Sequence, residues 1–137
     1  MARSFLNTVT VDGKLCRIAE FGFFADIPSF DENSIVFRIG EKGRRIDLDT
    51  GALSLADLPV CKSDHTSPDG RYTVRTELVS ELTNGIGYVH LILRDNKKST
   101  ESVLTRFMGN SNSVGVRPFS KDSKTIAFFG YPEEELG

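Results

Sequence analysis

Short runs of β-branched, aromatic and aliphatic residues alternate with polar turns along this chain, and no window of a dozen residues carries the 3.6-residue apolar period of an amphipathic helix. Residues 4–11 and 14–21 are strand-like and flank Asp12-Gly13, a hairpin signal because both central positions of such a turn need positive φ. Residues 23–29 form a strand closed by Pro28, residues 31–34 turn, and residues 34–39 are β-rich. Residues 44–49 set Ile46 and Leu48 inward against charged neighbours, as a half-buried strand does. After Thr50-Gly51 comes a strand over residues 52–58, ended by Pro59.

The order then repeats. Residues 60–66 lead into Ser67-Pro68-Asp69-Gly70, where proline presets φ and glycine takes the left-handed region. Residues 71–78 are a strand, residues 80–87 a longer loop holding Asn84-Gly85, and residues 88–94 and 100–108 two further strands about a turn at 95–98. Residues 113–119, a turn at 120–124 and residues 125–131 begin a third round. Three segments are thus copies of one pattern: Pro28-Ser29-Phe30-Asp31-Glu32-Asn33 into Ser34–Phe37, Ser67-Pro68-Asp69-Gly70 into Arg71–Val74, and Pro118-Phe119-Ser120-Lys121-Asp122-Ser123 into Lys124–Phe128. Repeats spaced by tens of residues point to a propeller, solenoid or array.

The middle of the chain holds two four-stranded units, residues 22–59 and 60–109. Residues 110–131 supply half of a third, which the hairpin at 1–21 completes, leaving a polar tail at 132–137. The expected fold is all-β, a single domain of three four-stranded antiparallel blades. The turn and strand motifs resemble TolB-like and related WD-like β-propeller repeats over roughly residues 22–131. The matching residues are Ser67-Pro68-Asp69-Gly70, the segment from Pro118 to Phe128, and Asp47-Leu48-Asp49-Thr50-Gly51. The first copy departs most, with Phe30-Asp31-Glu32-Asn33 where the family has Ser-x-Asp-Gly. The family motif is structural and carries over no catalytic residue.

Three blades cannot close a ring, since propellers have about four to eight. An open arc is expected to leave two flat apolar flanks, which a second copy would cover. The expectation is a homodimer forming one six-bladed propeller, its termini so far apart that the N-terminal hairpin reaches the partner's blade. A fragment of a longer propeller, or one antiparallel sandwich or barrel of about 10 to 12 strands, accounts for the same signals.

Composition narrows the function. A net charge of −2 with scattered basic residues argues against a nucleic-acid footprint, and Lys42-Gly43-Arg44-Arg45 reads as a solvated turn. No stretch is apolar enough for a membrane helix and no export signal is seen, so a cytoplasmic protein with two buried, reduced thiols, Cys16 and Cys61, is expected. Asp47 to Gly51 lacks the ligand spacing of a calcium loop, and Cys16, Cys61, Asp64 and His65 have no metal spacing. No metal or cofactor is expected. Asp64 and His65, being adjacent on a strand, point to opposite faces, and His90 reads as a packed or surface residue. Phe21, Phe23 and Phe24 read as core. The channel-facing candidates are Asp26, Lys62, Asp64 and Arg117, and Asn84 and Gly85 on the long loop are candidate partner contacts. The reading is a non-catalytic module binding a protein or small ligand. The alternative is a hydrolase or lactonase-like enzyme with residues in a channel mouth.

Overall fold

A computed structural model describes residues 3–60 and 62–132. Among the described residues ten strands run in chain order: β1 (Ser4–Thr10), β2 (Leu15–Phe21), β3 (Asp26–Asp31), β4 (Ser34–Ile39), β5 (Lys42–Asp47), β6 (Leu53–Leu55), β7 (Tyr72–Thr83), β8 (Ile86–Asp95), β9 (Thr100–Gly109) and β10 (Thr125–Gly130). They form three antiparallel sheets, β10-β1-β2, β3-β4-β5-β6 and β7-β8-β9, hereafter sheets 1, 2 and 3. Two short segments add a bridge each at a sheet's inner edge, Phe119 to Ile126 in sheet 1 and Thr66 to Thr73 in sheet 3.

Sheet 1 joins the two ends of the chain. Phe5 pairs with Gly130 and Thr10 with Thr125, so the N-terminal hairpin closes on β10 of its own chain. The expectation that it reaches a partner fails here, because sheet 1 lies between the other two and both termini arrive at the same place. The alternation of β10 makes this possible. Ala127 and Phe129 pack with Leu6, Ile35, Phe37 and Ile46, chiefly between sheets 1 and 2. Ile126 and Phe128 pack with Val9, Val74, Leu91 and Leu93, between sheets 1 and 3. Both faces of β10 are therefore buried, and each large side chain so placed contributes about 1.5–3 kcal/mol. Edge-on contact of Phe37 and Phe129, with ring centroids 5.5 Å apart, ties sheets 1 and 2 further.

The inner segments of sheets 1 and 2 are zipped directly. Ile27 N–H donates to the Asn112 carbonyl at 2.8 Å, Gly115 N–H to Pro28 at 3.0 Å, and Phe30 N–H to Arg117 at 3.0 Å. Gly115 is required for this approach: a Cβ there would collide with Ser29 Oγ and the Pro28 carbonyl.

The turn copies match atom for atom. Ser67 Oγ donates to Asp69 Oδ1 at 2.6 Å and accepts from Tyr72 N–H at 3.0 Å. Ser120 Oγ donates to Asp122 Oδ1 at 2.6 Å and accepts from Thr125 N–H at 3.1 Å. Gly70 and Ser123, equivalent positions, both have positive φ, 77° and 65°. Asp69 N–H donates to Ser123 Oγ at 3.1 Å, linking one copy to the other. The first copy instead makes a two-residue hairpin, Asp31 pairing with Ser34 and Glu32 at φ 52°.

Several expectations need correction. The loop expected over residues 80–87 is a hairpin: β7 runs to Thr83, and Asn84 and Gly85 turn with φ 45° and 78°, the two positive values a tight turn demands. The fourth strand of sheet 2 shrinks to Leu53–Leu55, and residues 62–66 and 113–119 form only the bridges above. Cys16 is exposed on β2, an outer edge strand, while Cys61 lies outside the described residues. Phe21 is buried, but Phe23 and Phe24 are half-exposed and stack on Phe21 and Tyr131.

The flanks are mixed in character. On the face of sheet 2 opposite Ile35 and Ile46, Arg45 pairs with Asp31 at 2.6 Å and Arg38 with Asp26 at 2.8 Å. On the face of sheet 3 opposite Val74, Arg75 pairs with Glu101. These outer faces carry ion pairs beside apolar side chains, among them the exposed Val103 on sheet 3 and the buried Val36 on sheet 2.

Candidate functional site

The sequence candidates separate in space. Asp26 is buried, 4% exposed at its side chain, and holds Arg38 through two bonds of 2.9 and 2.8 Å, so its carboxylate is committed. Burial, with the Asp26 charge beside it, pushes the Tyr131 hydroxyl far above the usual phenol range, and that hydroxyl donates to the Ala25 carbonyl at 3.0 Å. Lys62 is exposed, and Asn84 and Gly85 sit at the far tip of the β7-β8 hairpin.

Asp64 and Arg117 come together. Both line a cleft of about 300 Å³ with Phe30, Glu32, Thr66 and Lys121. The zipper of β3 onto residues 112–117 delivers Arg117, and Asp64 N–H donates to the Val116 carbonyl at 2.9 Å, which brings its strand alongside. Asp64 Oδ1 accepts from Thr66 N–H at 3.0 Å, a local turn that holds the carboxylate. Lys121 reaches Glu32 at 3.4 Å, both exposed. No acidic group pairs with Arg117 among the described residues. Phe30 and Phe119, both buried, give the cleft an apolar wall.

A second cleft of about 580 Å³ adjoins it and shares Phe30, Glu32 and Lys121. A third, about 410 Å³, lies between the repeated turns and is lined by Asp12, Asp69, Arg71 and Asp122. There the Ser67 hydroxyl, then the Arg71 amide, holds Asp69 below the usual carboxylate range, and the Ser120 hydroxyl and Lys124 amide do the same for Asp122. These shifts belong to the turn architecture. Sequence reasoning named Asp64 and Arg117 but missed Glu32 and Lys121. Their signal was present: each occupies a turn position in a repeat copy, and turns of one kind gather at one end of a sheet array.

The arrangement sets charges of both signs beside an apolar wall. Among the described residues no imidazole hydrogen-bonds a hydroxyl, and no three of His, Cys, Asp and Glu converge on a metal position. The Thr66 hydroxyl is shared with Thr73 at 3.3 Å.

The three sheets with their repeated turns have a counterpart among solved structures. The fold is TolB-like. The chain is similar to "putative TolB from Agrobacterium tumefaciens", with a TM-score of 0.52 and 10% identity, over 96% of this chain and 99% of that one. No family model matches the sequence, and no curated protein matches it. At that identity the likeness is one of fold alone.

Proposed function

We propose that this chain is a non-catalytic binding module of three four-stranded propeller blades, that two copies join into a six-bladed ring, and that the cleft between Asp64 and Arg117 takes a small ligand or peptide end carrying charge. The observation that carries the cleft is Arg117, which lines it and has no acidic partner among the described residues. A fork of donors beside a buried aromatic wall suits a carboxylate attached to an apolar body, and Asp64 and Glu32 would take an amine on the same ligand.

The blade count is supported by the three sheets and the two bridged inner segments. The ring is supported by exposed groups on the outer faces of the two end sheets, Asp31 and Arg45 on sheet 2 and Arg75, Glu101 and Val103 on sheet 3. Because those faces carry Asp31, Arg45, Arg75 and Glu101, the contact between copies would run through charges and weaken with salt.

Two experiments test these parts separately. Sedimentation of the full chain at low salt should show a particle of twice 15.2 kDa that shifts toward 15.2 kDa as salt rises; a 15.2 kDa particle at every salt sinks the ring. For the cleft, amide shifts are followed by nuclear magnetic resonance against acetate, phenylacetate, glycine and phenylalanine. Shifts centred on Thr66, Arg117 and Lys121, lost in Arg117→Gln, support it. Shifts that are scattered, or unchanged by Arg117→Gln, refute it.

A further inference from the structure

Sheet 3 has an unfinished inner edge. The segment that runs along it meets β7 only at one end. Thr66 bridges Thr73, Ser67 N–H donates to the Tyr72 carbonyl at 2.7 Å, and Val74 N–H donates to the His65 carbonyl at 2.9 Å. These contacts set an antiparallel register in which each step back along the segment is one step forward along β7. Continued in that register, Asp64 falls opposite Arg75, Ser63 opposite Thr76 and Lys62 opposite Glu77.

The chemistry of the continued pairs is complementary. Antiparallel ladders alternate hydrogen-bonded and non-hydrogen-bonded pairs. His65 with Val74 is a hydrogen-bonded pair, so Ser63 with Thr76 is the next. Asp64 with Arg75 and Lys62 with Glu77 then take the close, non-hydrogen-bonded positions, where Cβ atoms lie about 4.5–5.5 Å apart. Both pairs are of opposite charge. Lys62 also answers a local need, because Arg75 already has two acidic neighbours, Glu101 and Glu77.

The backbone is oriented for it. Asp64 N–H points away from β7, to Val116, as it must in a strand flanked on both sides. By the same alternation, the N–H and C=O of Thr76 point to the open edge. Among the described residues neither finds a backbone partner there. The occupant is already tethered at Thr66, so no outside strand competes with it on equal terms.

We propose that residues 62–64 zip onto this edge in the same molecule, completing the inner strand of sheet 3 and acting as a strap that positions the Asp64 wall of the cleft. The strap stands on register and charge alone, and does not depend on what the cleft binds.

The test uses the full chain with Cys16→Ser, Cys61→Ser, Lys62→Cys and Glu77→Cys, treated with oxidised glutathione. An intramolecular disulfide should form at least tenfold faster than in the off-register pair Lys62→Cys with Thr76→Cys, whose side chains point to opposite faces of the sheet. Equal rates, or disulfides that join two chains, overturn the proposal; the latter would mean that a second copy supplies the strand. In the unmodified chain the Thr76 amide should exchange with solvent at least tenfold more slowly than in Ser63→Pro, which removes the donor and blocks the ladder. Identical exchange in the two also overturns it.

Discussion

Replacing Gly115 by alanine tests whether the inner segments of sheets 1 and 2 are zipped as described. The added Cβ falls against Ser29 Oγ and the Pro28 carbonyl, and the latter is backbone that no rotamer change can move. The two segments must separate, which stretches the Gly115–Pro28 and Phe30–Arg117 bonds, each 3.0 Å. Overpacking of this kind costs about 1–3 kcal/mol. Loss of the two backbone bonds adds about 1 kcal/mol each. The expected destabilisation is therefore about 3–5 kcal/mol, a large share of the roughly 5–15 kcal/mol available to a domain. Gly22 is the control: nothing lies within 4 Å of a Cβ built there, so Gly22→Ala should change stability by no more than about 0.5 kcal/mol. Urea unfolding followed by far-ultraviolet circular dichroism measures both. A cost below about 1 kcal/mol for Gly115→Ala would refute the zipper, since an open channel between these segments has room for a methyl group.

Ser123→Ala loses the acceptor of the Asp69 amide while keeping the positive φ, and should cost about 1 kcal/mol in urea unfolding; Ser123→Gly also relieves the backbone and should cost less. The raised Tyr131 hydroxyl makes the folded state hold its proton where the unfolded chain has released it, so stability is full below about pH 10 and falls as pH rises further. Tyr131→Phe should remove that alkaline decline in a melting-temperature profile while costing about 1 kcal/mol at neutral pH through the lost bond to Ala25. Asp69 and Asp122 have the opposite sign. Their depressed values lend stability above about pH 4, lost as pH falls through the folded-state values. The double variant Asp69→Asn, Asp122→Asn should flatten the acid limb of the same profile; an unchanged limb would contradict the turn networks.

Local chemistry was legible in the chain. Asp12-Gly13 is a turn dipeptide between two strand-like runs, and alternation placed Ile46 inside, whereas Asn84-Gly85 was read as part of a loop although it carries the same hairpin signal. Ser67-x-Asp and Ser120-x-Asp specify one network of short-range bonds, so the sequence copy predicts a structural copy. Pairing Asp64 with Arg117 in one candidate group was also possible, since both lie on inner segments of neighbouring repeats. Other features had no local signal. An exposed thiol and a buried one read alike in sequence, and only the edge position of β2 exposed Cys16.

What the chain determined alone was most of its strands, its repeated turns and the spacing between copies, because these depend on φ preferences and hydrogen bonds spanning a few residues. Which sheet lies between which, and therefore which faces meet solvent, was decided only in three dimensions. Phe129 and Phe128 are equivalent in composition, yet they enter different cores because β10 is sandwiched. Arg75 and Asp31 keep the outer faces charged for the same reason. Contacts between residues about ninety positions apart, such as Gly115 with Pro28, follow from the packing of whole sheets, and no local rule encodes them.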